Sequence, residues 1–436
     1  MTAPSQSGLL ATLPSSLPNG PAWLNTIREG AAATVREGGF PGKKHEAWRF
    51  TSVRDVVDRE LTPVEGDPEA ARGLADRLLS DDGAFRVVLA NGRPEAIEGA
   101  PDGVTVRSLR SVLSESPGAL EGALGTLARA DHFAGLNAAM FEDGVVIEVA
   151  QGSAVETPIH LVYVATGSGA AHPRVLIRAG ENSHCTVVET FVDADAALGG
   201  DPHLSNVVTE VSLAQAARLE HVRVTMGSPR AMQIAQLAVS QGRDSFYASR
   251  VVALGGKLGR LDIDVRLEGR GAETQLDGVY HVSGTDHVDH QIRVVHANEQ
   301  GSSHVRYRGL LDGRGHAVFN AMGIAERDAF GTSAHQENRN LLLSAEARVD
   351  TKPHLEIDTD DIVASHGSTV GSLDEKQAFY LRSRGIPAAE ARDLLTFAFV
   401  QELLDRIPHA PTTRRCTEAV LARLPHGERM REVLEP

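Results

Sequence analysis

Short runs of β-branched residues recur through the middle of the chain, between residues 141 and 360. The runs begin about every 12 to 15 residues, which is typical of all-β folds. Leu261–Leu267 alternates strictly between apolar and polar side chains, so we expect a strand with one buried and one solvated face. The other runs that predict strands are Val145–Val149, Ile159–Val164, Val175–Arg178, Thr186–Val192, Val207–Leu213, Leu219–Val224, Gln233–Val239 and Ser245–Leu254.

The number of predicted strands restricts the architecture. A flat open sheet of so many strands would expose its edges and twist out of shape, so the pattern favours a sandwich, a barrel or a solenoid. No sharp sequence repeat is present, which weakens the solenoid on pattern alone. Hairpin dipeptides are few between the runs (Asp143-Gly144, Asp277-Gly278 and Asp312-Gly313 are the exceptions), which mildly favours a coil-like winding over a meander.

Residues 1–140 form a first region with a mostly helical pattern. We predict helices from Pro21 to Val35, from Asp67 to Leu79 and from Ala119 to Met140, because apolar residues recur there at helical spacing. Phe85–Ala90 is the one short strand predicted in this region.

Residues 361–436 form a third region, which we also expect to be helical. Ser372 is a candidate cap for a helix that reaches Arg382, and Gly385 followed by Pro387 separates it from a helix over Ala388–Ile407. That second helix is apolar on more than one side. Either Ala419–Leu424 covers its second face or another chain does, and the pattern leaves both readings open.

Composition limits the class of protein. The chain has 436 residues, which is longer than one ordinary domain. Its hydrophobic content of 42% excludes a disordered chain. Aromatic residues are only 4%, so the core must consist mainly of Val, Leu, Ile and Ala. The net charge of −15 and the absence of a long Lys/Arg run argue against nucleic-acid binding.

The two cysteines, Cys185 and Cys416, are too few for a disulfide framework, which fits a reducing cytosol. We find no signal-peptide pattern and no apolar run long enough to span a membrane, so we expect a cytoplasmic protein without a membrane partner. No G-x-x-x-x-G-K-[ST] motif is present, so any ATP hydrolysis must belong to a partner.

The densest polar cluster on the chain is Asp361–Gly371, which contains His366. An imidazole can ligate iron or copper or move a proton near neutral pH. On residue chemistry alone, however, a turn in which Ser365 or Thr369 satisfies the histidine is favoured about two to one.

Other candidates are weaker. His287 and His290 should point to opposite faces of a strand, as should His184 and Cys185, so neither pair favours a metal site. We expect Cys185 to be a small buried residue and Cys416 to be structural.

Three groups of motifs resemble the SufB/SufD family. The first comprises Ala364–Gly371, Leu373-Asp374 and Phe379–Ile386, and the second Asn338–Ser344 and Pro353–Ile357. The third is Lys44–Thr51, near the beginning of the chain. The resemblance spans about residues 40–407.

Within that family, Gly367 and Val370-Gly371 resemble the SufD type, since SufB-type chains usually have a glutamate after the histidine. SufB-type chains also have an essential cysteine at about the position of Asn338, and this chain has no cysteine between Cys185 and Cys416. Any cluster site must therefore be completed by another subunit.

The resemblance implies a mainly β protein, a right-handed parallel β-helix flanked by N-terminal and C-terminal helical regions. It implies a non-catalytic scaffold in iron–sulfur cluster assembly, in complex with SufB and two copies of the ATPase SufC. His366 would be a ligand of a transient cluster or iron at the SufB–SufD interface. No cofactor would be bound permanently. The chain on its own could also form a homodimer. The implied partner-binding residues are Tyr380, Arg384, Gly385, Phe399 and Leu403.

Two alternatives remain open at this point. One is a β-helix enzyme acting on polysaccharide, which would need paired carboxylates and usually aromatic platforms. The other is a SufB-type chain, which the missing thiol near Asn338 disfavours.

Overall fold

The chain winds into a parallel β-solenoid, and the computed structural model describes residues 8–80, 83–129, 131–194 and 202–434. Successive strands alternate between two sheets and pair in parallel with the strands of neighbouring turns. The strands are β1 (Phe85–Ala90), β2 (Arg93–Pro94), β3 (Val104–Ser108), β4 (Gly144–Val149), β5 (Ile159–Ala165), β6 (Gly169–Ala171), β7 (Arg174–Ala179), β8 (His184–Asp193), β9 (His203–Leu213), β10 (Arg218–Gly227), β11 (Ala231–Gln241), β12 (Phe246–Gly255), β13 (Leu258–Leu267), β14 (Glu273–Val282), β15 (His287–His296), β16 (Ser302–Leu311), β17 (His316–Ala325), β18 (Thr332–Leu342), β19 (Arg348–Ile357) and β20 (Ile362–Gly371).

The strand order distinguishes the solenoid from the other two architectures. Sheet 1 runs β2-β1-β5-β8-β10-β12-β14-β16-β18-β20, and sheet 2 runs β3-β4-β7-β9-β11-β13-β15-β17-β19, with β6 beside β9. Antiparallel pairs occur in the described residues only at the start, between β1 and β2 and between β3 and β4. The predicted coil-like winding is therefore confirmed, as are the strands predicted from the β-branched runs.

The interior between the sheets explains why the turns leave no sequence repeat. Tyr307 of β16 lies in register with Gly278 of β14, and a Cβ at Gly278 would lie 2.1 Å from the Tyr307 ring. Tyr280 and Gly309 have the same relation in the opposite direction, at 2.2 Å. A large side chain on one turn thus fills the space left by a glycine on the next, so neighbouring turns are complementary in volume and different in sequence.

The helices lie at the two ends of the chain, and short 3₁₀ helices occur at Gly8–Thr12, Glu46–Trp48 and Pro117–Leu120. The α-helices are α1 (Ala22–Gly38), α2 (Arg54–Val57), α3 (Pro68–Leu78), α4 (Leu109–Glu115), α5 (His132–Met140), α6 (Glu375–Ser383), α7 (Ala388–Leu404), α8 (Ala410–Leu421) and α9 (Gly427–Leu434). No helix in the described ranges has the length and apolar character needed to cross a membrane.

The predicted helix over Ala119–Met140 is wrong in its first half. Gly122 and Gly125 have φ angles of 74° and 79°, which a right-handed helix does not allow. The backbone N–H groups of Gly125, Leu127 and Ala128 donate to the buried Glu210 carboxylate at 2.8, 2.9 and 3.2 Å. A tertiary contact therefore replaces the helical hydrogen bonds that the local pattern predicted.

The stretch predicted as a polar turn around His366 is a strand, β20, which pairs along its whole length with β18. Small polar residues have low strand propensity, but the ladder of hydrogen bonds from β18 overrides that preference. The helix after it begins at Glu375 with Asp374 as its cap, because the Asp374 carboxylate accepts from Lys376 N at 2.8 Å. The predicted cap, Ser372, lies two residues too early.

Helix α7 is covered on both sides by its own chain. Its buried residues Phe397 and Val400 belong to an apolar cluster with Val279 and Leu310 of sheet 1, and with Val420 of α8. Of the two readings of this helix, the internal one accounts for its two apolar faces.

The segment Lys44–Thr51 crosses the outer face of sheet 2. The guanidinium of Arg260 lies 3.5 Å from the Trp48 ring centroid and donates to Ala47 O at 2.8 Å. Thr51 Oγ1 donates to the buried Asp289 carboxylate at 2.5 Å. The motif thus fastens the N-terminal region to the solenoid.

Candidate assembly interface at the open end of the solenoid

The solenoid ends without a cap. Sheet 1 stops at β20 and sheet 2 stops at β19, and within the described residues neither strand has a neighbour on its outer edge. Each of these strands is ten residues long, so two rows of backbone N–H and C=O groups are left without ladder partners. Such edges are templates for pairing with another chain.

His366 points into the mouth between the two sheets at this end. It lies in register with Gln336 of β18, whose buried side chain faces the interior. Residues paired in a parallel ladder project to the same side, with strands about 4.8 Å apart. The imidazole is nevertheless exposed, because no further turn covers it.

Polar side chains form the floor under His366. The Gln336 carboxamide reaches across to β17, where its Nε2 donates to Ala321 O at 3.1 Å and its Oε1 accepts from Gly323 N at 2.9 Å. The hydroxyls of Thr351 and Ser368 meet across the mouth at 2.8 Å. The Gln336 bonds join β18 to β17, and the Thr351–Ser368 bond joins the last strands, β19 and β20, so the two sheets are linked across the mouth.

The inward side chains of the last turn offer few ligands for a metal. Among them, His366 has the only group that commonly binds transition metals. No group of three or more His, Cys, Asp or Glu side chains in the described parts of the chain is placed to hold a metal ion. The inward residues are Val349, Thr351, Pro353, Leu355 and Ile357 of β19, and Ile362, Ala364, His366, Ser368 and Val370 of β20.

The position where a SufB-type thiol is expected is occupied by Asn338. Its side chain is 1% exposed and faces the interior, in register with Ser368 on the last strand. Asn338 Nδ2 donates to the Tyr280 hydroxyl at 3.2 Å, so the amide belongs to a structural network. The chain therefore contributes an imidazole to this end and no thiol.

The predicted partner-binding residues lie around α6 and α7. Tyr380 is 57% exposed, and the Arg384 guanidinium lies 5.2 Å from its ring centroid. Gly385 has a φ of 90°, which explains why the turn between the two helices uses glycine. Phe399 is half-buried, 5.7 Å from the Arg308 guanidinium. Leu403 is only 4% exposed and packs inside the chain, so its side chain is not part of the exposed surface around α6 and α7.

The other candidates have structural environments. His290 is buried between the Tyr280 and Tyr307 rings, whereas His287 is on the outer face, so the two do point to opposite sides. Cys185 and Cys416 are both buried, and burial raises the pKa of each thiol to about 12.

Sequence reasoning missed a charged cluster inside the solenoid. Glu189 is fully buried and accepts from Arg223 Nη1 at 2.5 Å and from the Tyr163 hydroxyl at 2.9 Å. Burial alone would raise the pKa of Glu189, but Arg223 and His221 outweigh it and lower this pKa to about 2. The available signal was a glutamate at an inward position of the strand, between Val187 and Phe191.

The fold defines a class of protein: a parallel β-solenoid with helical regions at both ends of the chain. Residues 162–399 match the family model "SUF system FeS cluster assembly, SufBD core domain", and residues 89–161 match "SufBD protein N-terminal region". The chain therefore belongs to the SufBD family of iron–sulfur cluster assembly proteins.

Curated relatives cover nearly the whole chain. An iron–sulfur cluster assembly SufBD family protein of Mycobacterium tuberculosis is 30% identical over 389 residues, which is 87% of this chain and 88% of the relative. The SufD protein of Escherichia coli is 27% identical over 403 residues, 90% of this chain and 91% of its own length. The SufD protein of Bacillus subtilis is 26% identical over 404 residues, 89% and 91% of the two chains. Because the chain belongs to the SufBD family, the alternative of a β-helix enzyme acting on polysaccharide is no longer favoured.

Proposed function

We propose that this chain is a SufD-type scaffold subunit of an iron–sulfur cluster assembly complex. It works without a reaction of its own, in the cytoplasm, together with a cysteine-bearing SufB-type homologue and two copies of a SufC-type ATPase. A nascent cluster or its iron is the cargo of the complex, held transiently where the two homologues meet. SufD relatives of similar length and the absence of a thiol near Asn338 favour the SufD type over the SufB type.

The observation that supports the proposal best is the position of His366 in the open mouth. An imidazole that faces inward at an uncapped end can bind iron only if other ligands come from a chain docked on that end. Two free edge strands beside it supply the means of docking, since edge pairing gives main-chain hydrogen bonds to a partner strand. The same surface therefore serves for assembly and for cargo.

The ATPase contact is proposed at the corner between α6 and α7. Phe379 and Tyr380 are adjacent and expose 69% and 57% of their surfaces there, and contiguous exposed apolar surface marks interaction sites. Aromatic and arginine side chains such as Tyr380 and Arg384 are common at the centres of protein interfaces. Phe399, which is half-buried beside Arg308 further along α7, would contribute its exposed part.

The test is His366→Ala in the complex, co-expressed with the cysteine-bearing family member and the ABC-type ATPase of the same organism. We expect the complex to form and the yield of reconstituted cluster, followed by visible absorbance and bound iron, to fall strongly. Ser368→Ala is the matched control, because it removes a polar group from the next inward position of the same strand. Cluster yield from the His366→Ala complex equal to that of the wild type would refute the ligand role.

The ATPase contact has a separate test. Tyr380→Ala should weaken capture of the ATPase by the purified chain and leave cluster ligation untouched. Leu78→Ala is a suitable control, since Leu78 is also a partly exposed apolar residue and lies on α3 in the N-terminal region. Equal capture by the Tyr380→Ala and Leu78→Ala variants would show that this corner is not the contact.

A further inference from the structure

Two histidines lie side by side on the outer face of sheet 1, close to its free edge. His304 of β16 is in register with His335 of β18, and paired residues of a parallel ladder project to the same face. The two imidazole rings are nearly parallel, with centroids 5.1 Å apart and an interplanar angle of 23°. Both residues are half-buried, so solvent reaches the pair.

The ring nitrogens of this pair are open to a ligand. Within the described part of the chain, the His304 ring contacts the His335 ring and has no hydrogen-bond partner. His335 Nδ1 lies 2.7 Å from Ser365 Oγ, and a bond of this kind from the non-ligating nitrogen orients histidines that bind metals. His335 Nε2 meets Ser333 Oγ at 3.1 Å, and that hydroxyl can rotate away.

The environment keeps the pair in the form that binds metals. Burial, together with the neighbouring His335 and Arg306, lowers the pKa of His304 from its ordinary value of 6.5, so the imidazole is neutral at neutral pH. Arg306 does not present an unpaired charge to a metal ion. Its Nε and Nη2 donate to the Asp277 carboxylate at 2.9 and 3.3 Å.

Another in-register pair, His287 and His316 on sheet 2, lacks this property. His287 Nε2 lies 2.9 Å from Thr51 Oγ1, and His316 Nε2 lies 2.7 Å from the Asp350 carboxylate. Those nitrogens already have partners within the chain. Register alone therefore does not leave a site, and the open nitrogens distinguish His304 and His335.

We propose that His304 and His335 bind a divalent transition metal ion, with water as the remaining ligands. Imidazole is a common ligand of Zn²⁺, Cu²⁺, Ni²⁺ and Fe²⁺, whereas Ca²⁺ and Mg²⁺ prefer oxygen ligands. Metal–nitrogen distances of about 2.0–2.1 Å place two neighbouring ligand nitrogens about 3 Å apart. Rings whose centroids are 5.1 Å apart reach that separation by rotation of their side chains, which the unpaired His304 ring permits.

This site is separate from the mouth of the solenoid. His335 is in register with Ser365, whose neighbour His366 projects to the opposite face of β20. Both ligands belong to this chain, so binding does not depend on a docked partner. A metal ion held here would lie at the same end of the solenoid as His366, on the outer side of the sheet.

The test is metal titration of the purified full-length chain, prepared without a polyhistidine tag. Calorimetry with Ni²⁺ should show a site whose affinity falls at least tenfold in His304→Ala and in His335→Ala, and the electron paramagnetic resonance spectrum with Cu²⁺ should show two coordinated nitrogens. His354→Ala is the matched control and should bind as the wild type does, because His354 is an exposed histidine in register with Met322.

The outcomes are separable from those for the proposed function, since no second chain is present. Affinity unchanged in both variants, or lowered equally by His354→Ala, would overturn the site. Loss of the site in His366→Ala alone would place the metal in the mouth and would also overturn it. If His335→Ala loosens β20 through the lost bond to Ser365, His304→Ala still decides, because it removes no hydrogen bond in the described residues.

Discussion

Gly309→Ala tests whether the interior is held by the complementarity between tyrosines and glycines on neighbouring turns. A Cβ at this position would lie 2.2 Å from Cε2 and 2.5 Å from Cζ of the Tyr280 ring, and 2.6 Å from Asn340 Oδ1. All three distances are far below van der Waals contact. The ring and the amide must therefore move, or the two strands must separate.

The magnitude follows from two effects. Overpacking a dense core by one methyl group costs about 1–3 kcal/mol. The Tyr280 hydroxyl also donates to Asn340 Oδ1 and accepts from Asn338 Nδ2, so displacement of the ring leaves buried polar groups unpaired, at about 1–3 kcal/mol. Together they predict a loss of about 2–6 kcal/mol in the free energy of unfolding, a large part of the stability of an ordinary domain.

The assay is urea unfolding followed by far-ultraviolet circular dichroism, with hydrogen exchange of the amides in β14, β16 and β18 to locate the loss. Gly371→Ala is the control, since its new methyl group meets no atom within 4 Å and should be neutral or stabilise by up to about 1 kcal/mol. Tyr280→Phe removes only the hydroxyl and so measures the hydrogen-bond share. A Gly309→Ala variant within about 0.5 kcal/mol of the Gly371→Ala variant would refute the complementarity argument.

Three further predictions concern buried groups. Cys185 and Cys416 should resist thiol reagents in the folded protein and react only on unfolding, because burial raises their pKa to about 12; rapid labelling of the native protein would contradict this. Burial lowers the pKa of His290 and His296 to about 4, below the value of 6.5 expected in the unfolded chain, so the unfolded state binds more protons and stability should fall as the pH drops from 6.5 towards 4. Each histidine contributes on the order of 2–3 kcal/mol to that loss, and a urea midpoint that stays constant over this range would exclude it. Glu210→Gln should loosen the 125–128 loop, because the carboxylate accepts three backbone N–H groups and a buried guanidinium; limited proteolysis of this loop should accelerate, and an unchanged cleavage rate would argue against the anchor.

The strands were predictable because β-branched runs and strict alternation report directly on burial, as Leu261–Leu267 shows. The architecture was not, since the pairing of Tyr307 with Gly278 and of Tyr280 with Gly309 conserves volume across turns and removes any visible repeat. Solenoid, sandwich and barrel therefore gave the same local pattern. The resemblance to the family supplied the solenoid before the structure did.

Two features that the sequence did not reveal depend on buried carboxylates. The sequence around Gly125 looks helical, but the N–H groups of Gly125, Leu127 and Ala128 bind Glu210, which is about 80 residues away in the chain. Glu189 sits in a run that looked like a simple apolar strand, and its charge is matched by Arg223 on the next turn of sheet 1. In both cases a buried carboxylate is matched by a partner far away in the chain, and a window of sequence does not contain that partner.

Only part of the candidate site could be predicted from the sequence. Residue chemistry favoured a turn histidine at His366, and only the family resemblance implied a ligand role. The neighbours of His366 looked like a turn because β20 contains glycines, small polar residues and exposed valines instead of the buried alternation of earlier strands. A strand inside the solenoid pairs and packs with a neighbouring turn on each side, whereas β20 pairs only with β18. The sequence of β20 has a weak strand pattern because no following turn requires apolar side chains to pack against it. A strand that is held by its ladder but lacks the composition of a covered strand is suited to an interface, and the missing demands would then be those of a partner chain.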